Sequence, residues 1–235
     1  MAKIGVTRMP KEKPSTTVED YLHAIYSLSD EGELITAARL ARRMGVSPPT
    51  AWATVQRMVR DGLLTLDAKK IIHFTQQGRP LAERIVRRHR LAERFLTDVL
   101  GLDWAEVHDE AHRFEHGISP RVEERIVALL GEPTRCPHGS PIPGSGWSLP
   151  PDLVRLTDMG PGEEAVVEFV SEELEEDRDL LLYLQRNSIK PGERISLVEI
   201  LPSNGVVIVR RDGQNVPLGL AVASRIRVRR LSPAS

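Results

Sequence analysis

Between residues 17 and 29, apolar side chains fall at Val18, Tyr21, Leu22, Ile25, Tyr26 and Leu28. This three-and-four spacing predicts a helix with one buried face behind a threonine cap. The pattern recurs from Ile35 to Gly45, with Ala37, Ala38, Leu40, Ala41 and Met44 on the apolar side and Gly45 as the stop. A third helix begins at Ser47, tolerates Pro48 and Pro49 in its first turn, and continues through Val55, Met58 and Val59 to Gly62. Two short β-prone runs follow, Leu63 to Leu66 and Ile71 to Thr75, around a charged turn at Asp67 to Lys70. A helix pair alone would fit any helical bundle. Helix, helix, capped helix and basic-tipped hairpin in that order predict a winged helix-turn-helix, whose second motif helix enters a DNA major groove by its N-terminal end.

A long helical pattern then runs from Thr75 to about Leu100, weakened near its start by Gly78 and Pro80. Shorter helices are expected from about Trp104 to Gly117 and from about Pro120 to Leu130. Leu91, Phe95, Leu96, Val99 and Leu100 provide an apolar surface suited to a core or a dimer seam. Residues 131–162 collect Pro133, Pro137, Pro141, Pro143, Pro150 and Pro151 with several glycines, the composition of an extended linker. Beyond about Gly162, AVVEFV, RISLVEIL, GVVIVR and RIRVRR read as strands separated by turn signals at Lys190 to Gly192, Ser203 to Gly205 and Asp212 to Gly213. One acidic helix, roughly Glu173 to Gln185, interrupts them. A small β-barrel is the expected closure, and Arg225, Arg227, Arg229 and Arg230 read as protection of an edge strand. The expected fold class is mainly α with a small β domain. Its parts are a winged helix-turn-helix over 1–75, a helical domain over 76–143, a Pro/Gly-rich linker over 144–162 and a β domain over 163–235.

Charge sharpens this division. The formal net charge of −1 conceals 17 Lys and Arg against 11 Asp and Glu in residues 1–100, 6 against 19 in 101–185, and 9 against 3 in 186–235. A basic front suits a polyanion, and an acidic middle suits a divalent cation. Arg39, Arg42, Arg43, Arg57, Arg60, Lys69 and Lys70 are the expected phosphate contacts. Cys136 is the only cysteine, which excludes an intramolecular disulfide and a thiolate-rich zinc cluster and leaves it as a structural or incidental loop residue. The chain has no run of about 18 apolar residues and no secretory leader, so a soluble cytoplasmic protein without a membrane partner is expected.

The densest chemistry lies in HDEAHRFEH, from His108 to His116. On a helix, His112, Glu115 and His116 project within roughly 100° of arc, so three side chains can reach one ion. His108 lies one turn earlier on the same stripe, and His89 with Glu93 repeats the four-residue spacing on a separate helical segment. Two adjacent metal sites are therefore expected. A solvated polar face is the bland alternative, but six potential ligands at helical spacing outweigh it.

The stretch HRLAERFLTDVLGLDWAEVHDEAHRFEH, with SPPTAWATVQRMVRDGLL before it and SPIPG after it, closely resembles the diphtheria-toxin-repressor family of metal-dependent transcriptional regulators. The resemblance implies a homodimer that binds a palindromic operator when divalent manganese or iron is present and represses metal-uptake genes. It implies an SH3-like, FeoA-type C-terminal domain and two metal sites per subunit. The regulatory site falls on Asp20, His112, Glu115 and His116. The ancillary site falls on His89, Glu93 and His108, with Asp177 as the matched ligand from the β domain and Glu176 or Asp179 as substitutes. Ser47, Pro49 and Thr50 match family positions that touch thymine methyls or phosphate.

Two departures from the family bear on specificity. Iron-responsive members carry Met and Cys at the positions of Asp20 and His112, and manganese-responsive members Asp and Glu, so this chain is manganese-like at the first and like neither at the second; the harder donor pair favours Mn²⁺, with Fe²⁺ as the alternative. Trp52 stands on the recognition helix, against the wing or against DNA. A regulatory ion shared by Asp20 and the downstream triad would act as a conformational clamp. The rival functions are a zinc-dependent hydrolase built on the His108 and His112 pair of HDEAH, and a winged-helix regulator of a non-metal signal. In the hydrolase reading the general-base position is occupied by Asp109, shorter than the required glutamate. No small organic substrate is implied.

Overall fold

A computed structural model describes residues 14–231. Lys3, Arg8, Lys11 and Lys13 of the basic front, and the start of the first expected domain, lie outside the described residues. The chain divides into two compact units, 1–82 and 83–235.

The first unit holds α1 (Thr16–Asp30), α2 (Ala37–Arg43), α3 (Pro48–Arg60), β1 (Leu64–Leu66) and β2 (Ile72–Phe74). Thr36 caps α2 by accepting from the Arg39 amide, and Ser47 caps α3 by accepting from the Thr50 amide. Each cap satisfies a helix-end donor that would otherwise lack a partner. Leu40 and Ala41 of α2 are buried, as are Ala51, Val55 and Met58 of α3, while Ala37, Met44 and Val59 of the expected stripes are half-buried and Ala38 is exposed. β1 and β2 pair antiparallel, with Thr65 opposite His73. At the tip, Asp67 Oδ1 accepts from the amides of Lys69 and Ile71, both at 2.8 Å, and Lys70 takes a positive φ of 59°. This is the winged helix-turn-helix.

The long helix α4 (Gly78–Asp98) begins where the sequence seemed weakest. Thr75 Oγ1 accepts from the Gly78 amide at 3.0 Å and donates to the Gly62 carbonyl at 2.6 Å, tying the helix start to the wing. A Cβ at position 78 would lie 1.9 Å from the Leu63 carbonyl oxygen. Glycine is the condition for this packing, and Pro80 sits in the first turn, where a missing amide costs nothing.

The second unit continues α4 and adds α5 (Val107–Glu115), α6 (Pro120–Leu129), β3 (Val154–Arg155), β4 (Glu164–Val170), α7 (Glu172–Glu175), α8 (Arg178–Arg186), β5 (Arg194–Leu201), β6 (Val206–Arg211), β7 (Gln214–Gly219), α9 (Leu220–Ala223) and β8 (Ile226–Arg230). Leu91, Leu96, Val107, Ala111, Ile126 and Ile142 share one helical core. Among the described residues, the six strands form one antiparallel sheet in the order β3-β8-β4-β5-β6-β7. Its core takes in Val167, Leu197, Val209 and Val228, and also Trp104 from the segment just before α5.

Three details differ from the sequence reading. Within the expected linker, Leu156 and Met159 are buried in the β core and Val154–Arg155 pairs with β8, because prolines that stop helices do not prevent alternate residues from packing. The acidic helix is two helices broken at Asp177, whose carboxylate caps α8. β8 lies between β3 and β4, inside the sheet, so its arginines do not guard an edge. Arg229 and Arg230 instead pair with Glu168 and Glu163, at 2.9 and 3.0 Å. No described helix is long and apolar enough to cross a membrane.

Gly78→Ala is expected to destabilise the chain by about 2 kcal/mol through overpacking against rigid backbone. Denaturant unfolding checks this, and an unchanged midpoint would refute the close approach.

Candidate metal centre and DNA-binding surface

His89 and Glu93 lie one turn apart on α4, both buried, and face His108 from α5 and Glu175 from the end of α7. His89 Nε2 is 3.2 Å from Glu93 Oε1 and 3.1 Å from His108 Nδ1. His108 Nδ1 is 3.2 Å from Glu93 Oε1 and 2.9 Å from Glu175 Oε2. Ligands about 2.1 Å from a six-coordinate ion sit about 3 Å from one another, so these four donors have the spacing of one coordination shell. Glu93 Oε2 and Glu175 Oε1 are buried without a hydrogen-bond partner, so each keeps a lone pair available to a cation.

A loop that the sequence left as a linker supplies two more donors. Cys136 and His138 are buried, with a backbone bond from the Cys136 amide to the Ser140 carbonyl at 2.9 Å. Gly139 at φ +97° makes the turn, and a Cβ there would fall 2.2 Å from the Glu168 carbonyl oxygen. His138 Nε2 lies 3.0 Å from the Trp104 carbonyl, which can only accept, so this nitrogen carries the proton. In the neutral ring, the Nδ1 lone pair then faces Glu93 Oε1 at 3.4 Å and Glu175 Oε2 at 3.5 Å. Lone pair against carboxylate is repulsive until a proton or a metal ion lies between them.

The charge states follow from this crowding. Burial opposes a positive His108, but its bonds to Glu175 and Glu93 outweigh burial and push its pKa to about 9. His89 and His138 are likewise raised against burial, by Glu93 with Glu115 and by Glu175 with Glu93 respectively. Burial would raise Glu93, yet His89 and His138 hold it well below the usual carboxylate range. Burial pushes the Cys136 thiol well up, and Glu93 and Glu175 add to the shift.

On the opposite side of His89, Nδ1 lies 2.6 Å from Glu115 Oε2. Glu115 Oε1 is 3.6 Å from His112 Nδ1 and 3.8 Å from His116 Nε2, so the α5 triad converges as its spacing predicts. Asp20 lies on α1, half-buried. Asp177 is not part of the buried cluster. It is exposed, and its carboxylate is spent on the Leu180 amide at 3.0 Å. Glu176 and Asp179 are exposed as well, and Glu175 is the α7 residue that points inward. The His108 and His112 pair of HDEAH is also split: His108 joins His89, Glu93 and Glu175, while His112 joins Glu115 and His116, and Asp109 is exposed.

On the first unit, Pro49, Thr50, Arg57 and Arg60 of α3 and Lys69 and Lys70 of the wing are exposed. Ser47 is exposed with its hydroxyl engaged on Thr50, and Arg39 pairs with Glu33 at 2.7 Å. The Lys70 ammonium stands 5.8 Å from the centre of the Trp52 ring, placing Trp52 against the wing.

Three family models match the chain. They are an iron-dependent repressor N-terminal DNA-binding domain over 13–71, an iron-dependent repressor metal-binding and dimerisation domain over 75–144, and a FeoA domain over 154–230. The chain is a member of the iron-dependent repressor family. The iron-dependent repressor IdeR of Mycobacterium tuberculosis is 42% identical over 225 residues, covering 92% of this chain and 97% of the relative. The diphtheria toxin repressor of Corynebacterium efficiens is 40% identical over 223 residues, covering 92% and 96%. Among solved structures, a manganese-dependent transcriptional repressor in complex with manganese superposes with a TM-score of 0.80 at 35% identity, covering 91% of this chain and 100% of that one. The apo form of the manganese-activated repressor ScaR gives 0.75 at 31%, covering 90% and 100%. Membership in a family of transcriptional repressors, together with the split HDEAH pair, removes the hydrolase reading.

Metal binding at the buried cluster must displace the His108 proton. Loading a chelator-stripped chain is expected to release protons, with apparent affinity falling about tenfold per pH unit for each proton displaced as pH drops below about 9. Calorimetry in buffers of different ionisation enthalpy checks this, and binding without proton release would contradict it.

Proposed function

We propose that this family member is a manganese-activated homodimeric repressor of metal-uptake genes that binds a palindromic operator, with Fe²⁺ as the alternative activating ion. The observation that carries the reading is the donor set converging on α5. His112, Glu115 and His116 offer two imidazoles and a carboxylate and no sulfur, in a chain whose first domain is a winged helix-turn-helix. Hard nitrogen and oxygen donors suit Mn²⁺ and Fe²⁺ over thiophilic ions, and coordination geometry and availability must supply the rest of the selectivity.

Asp20 completes this regulatory site, an assignment that rests on the family match. The second site per subunit is His89, Glu93, His108 and Glu175, with Glu175 taking the role that the sequence gave to Asp177. When bound, the regulatory ion supplies charge neutralisation and a rigid link. A dimer must present its two recognition helices about 34 Å apart, one DNA turn, so a small change in domain setting costs specific affinity. Metal acts through its differential affinity for the two settings. Ser47, Pro49 and Thr50 contact the operator near its bases, and Arg39, Arg57, Arg60, Lys69 and Lys70 hold its phosphates. The reading implies a cytoplasmic location, where the operator lies.

Fluorescence anisotropy of chelator-stripped chain on metal-transporter promoter DNA, at fixed salt, tests the reading. Binding is expected to appear only with added metal, most strongly with Mn²⁺. Asp20→Ala and His116→Ala should each remove an enhancement of roughly 5- to 150-fold, the usual range of allosteric coupling, and leave a folded dimer. Equal binding without metal, or full metal response in both variants, would refute the clamp.

A further inference from the structure

The buried cluster holds more donors than one site uses. His89, Glu93, His108 and Glu175 offer ligand atoms mutually within 4.8 Å, and Glu93, Cys136 and His138 form a second such group. Glu93 is common to both. Its Oε1 lies between His89 and His108 on one side, each at 3.2 Å, and His138 at 3.4 Å. Its Oε2 is buried and has no hydrogen-bond partner, as is true of His138 Nδ1.

We infer that the centre is binuclear, with Glu93 bridging a nitrogen-and-oxygen subsite (His89, His108, Glu175) and a separate thiolate subsite (Cys136, His138) that takes a softer divalent ion such as Zn²⁺ or Co²⁺. Three physical arguments support the division. Carboxylates bridge two ions about 3.5–4 Å apart in two-metal sites. The second group combines sulfur, imidazole and carboxylate, the donor set of a tetrahedral zinc-type site, while the first lacks sulfur. Charge also permits two ions: once ligated, the Cys136 thiolate joins Glu93 and Glu175 as a third negative charge, and Glu115, coupled through His89, is a fourth, matching two divalent cations. Trp104 supplies the outer contact that such a ligand needs, fixing the His138 ring with Nδ1 inward. A cleft of about 420 Å³, lined in part by Arg94, Arg135, Cys136 and Gly139, lies beside this loop.

The test uses the full chain, stripped with chelator, saturated with Mn²⁺, and then titrated with Co²⁺. With Mn²⁺ kept in excess to hold the nitrogen-and-oxygen sites against the higher intrinsic affinity of Co²⁺, the expected result is one further Co²⁺ per chain, a thiolate-to-cobalt charge-transfer band in the near ultraviolet, and unchanged Mn²⁺ content after gel filtration. Cys136→Ser should lose both the band and the extra ion. His138→Gln, which keeps the thiol, should weaken Co²⁺ uptake at least tenfold and serves if the cysteine variant fails to fold. His108→Ala should retain the band. Absence of the band in the parent chain, or a band that grows as an equal amount of Mn²⁺ leaves, would overturn the two-ion centre. Operator binding plays no part in this readout, so a band without metal-dependent DNA binding would sink only the regulator reading.

Discussion

Glu93 is the group on which the second unit depends. A buried carboxylate is tolerated only when compensated, and this one is compensated by imidazoles from three separate pieces of chain: α4 itself, α5 and the loop after α6. Glu175 adds a second buried carboxylate from α7. Protons on the histidines satisfy this assembly in part, and a divalent cation satisfies it better. The energetic demand for positive charge at one buried point is therefore also a demand that α4, α5, the loop and the β domain stay together.

The supporting structure is arranged around that demand. Arg90, one residue beyond His89, is buried and donates to Glu172 at 3.0 Å, fixing the start of α7 so that Glu175, one turn later, reaches the cluster. Asp177 ends α7 and starts α8 by capping, which is why the acidic segment turns inward at Glu175 and outward afterwards. Gly139 lets the loop lie against β4, and the bond from the Val170 amide to the His138 carbonyl at 2.9 Å holds this loop to the sheet. The β domain thus helps to build the buried cluster within this unit.

The same ring that serves the buried cluster also contacts the regulatory triad. His89 presents Nε2 to Glu93 and Nδ1 to Glu115, and Glu115 faces His112 and His116. Ligation of one nitrogen fixes the tautomer at the other, so occupancy of either site bears on the hydrogen bond offered to the other. The hydrogen bonds through His89 thus join the buried cluster to the α5 triad directly.

Local pattern was enough for much of the protein. Three-and-four spacing located the helices of the DNA-binding domain because each buries one face. Alternation located the strands, and the positions of His112, Glu115 and His116 on one helix fixed their convergence, since helical geometry alone sets that distance. His89 with Glu93 was legible for the same reason. What sequence could not decide was how separate segments meet. Cys136 and His138 sat in a proline-rich run whose composition reads as linker, and only packing against Trp104 and β4 turns them inward. The choice of Glu175 over Asp177, two residues away in a run of acids, depends on a cap at the α8 start. The place of β8 inside the sheet depends on strand order, which no single strand encodes. Side chains spaced along one helix are written in the sequence; those gathered from separate helices, a helix end and a loop exist as a set only after long-range packing brings them to one carboxylate.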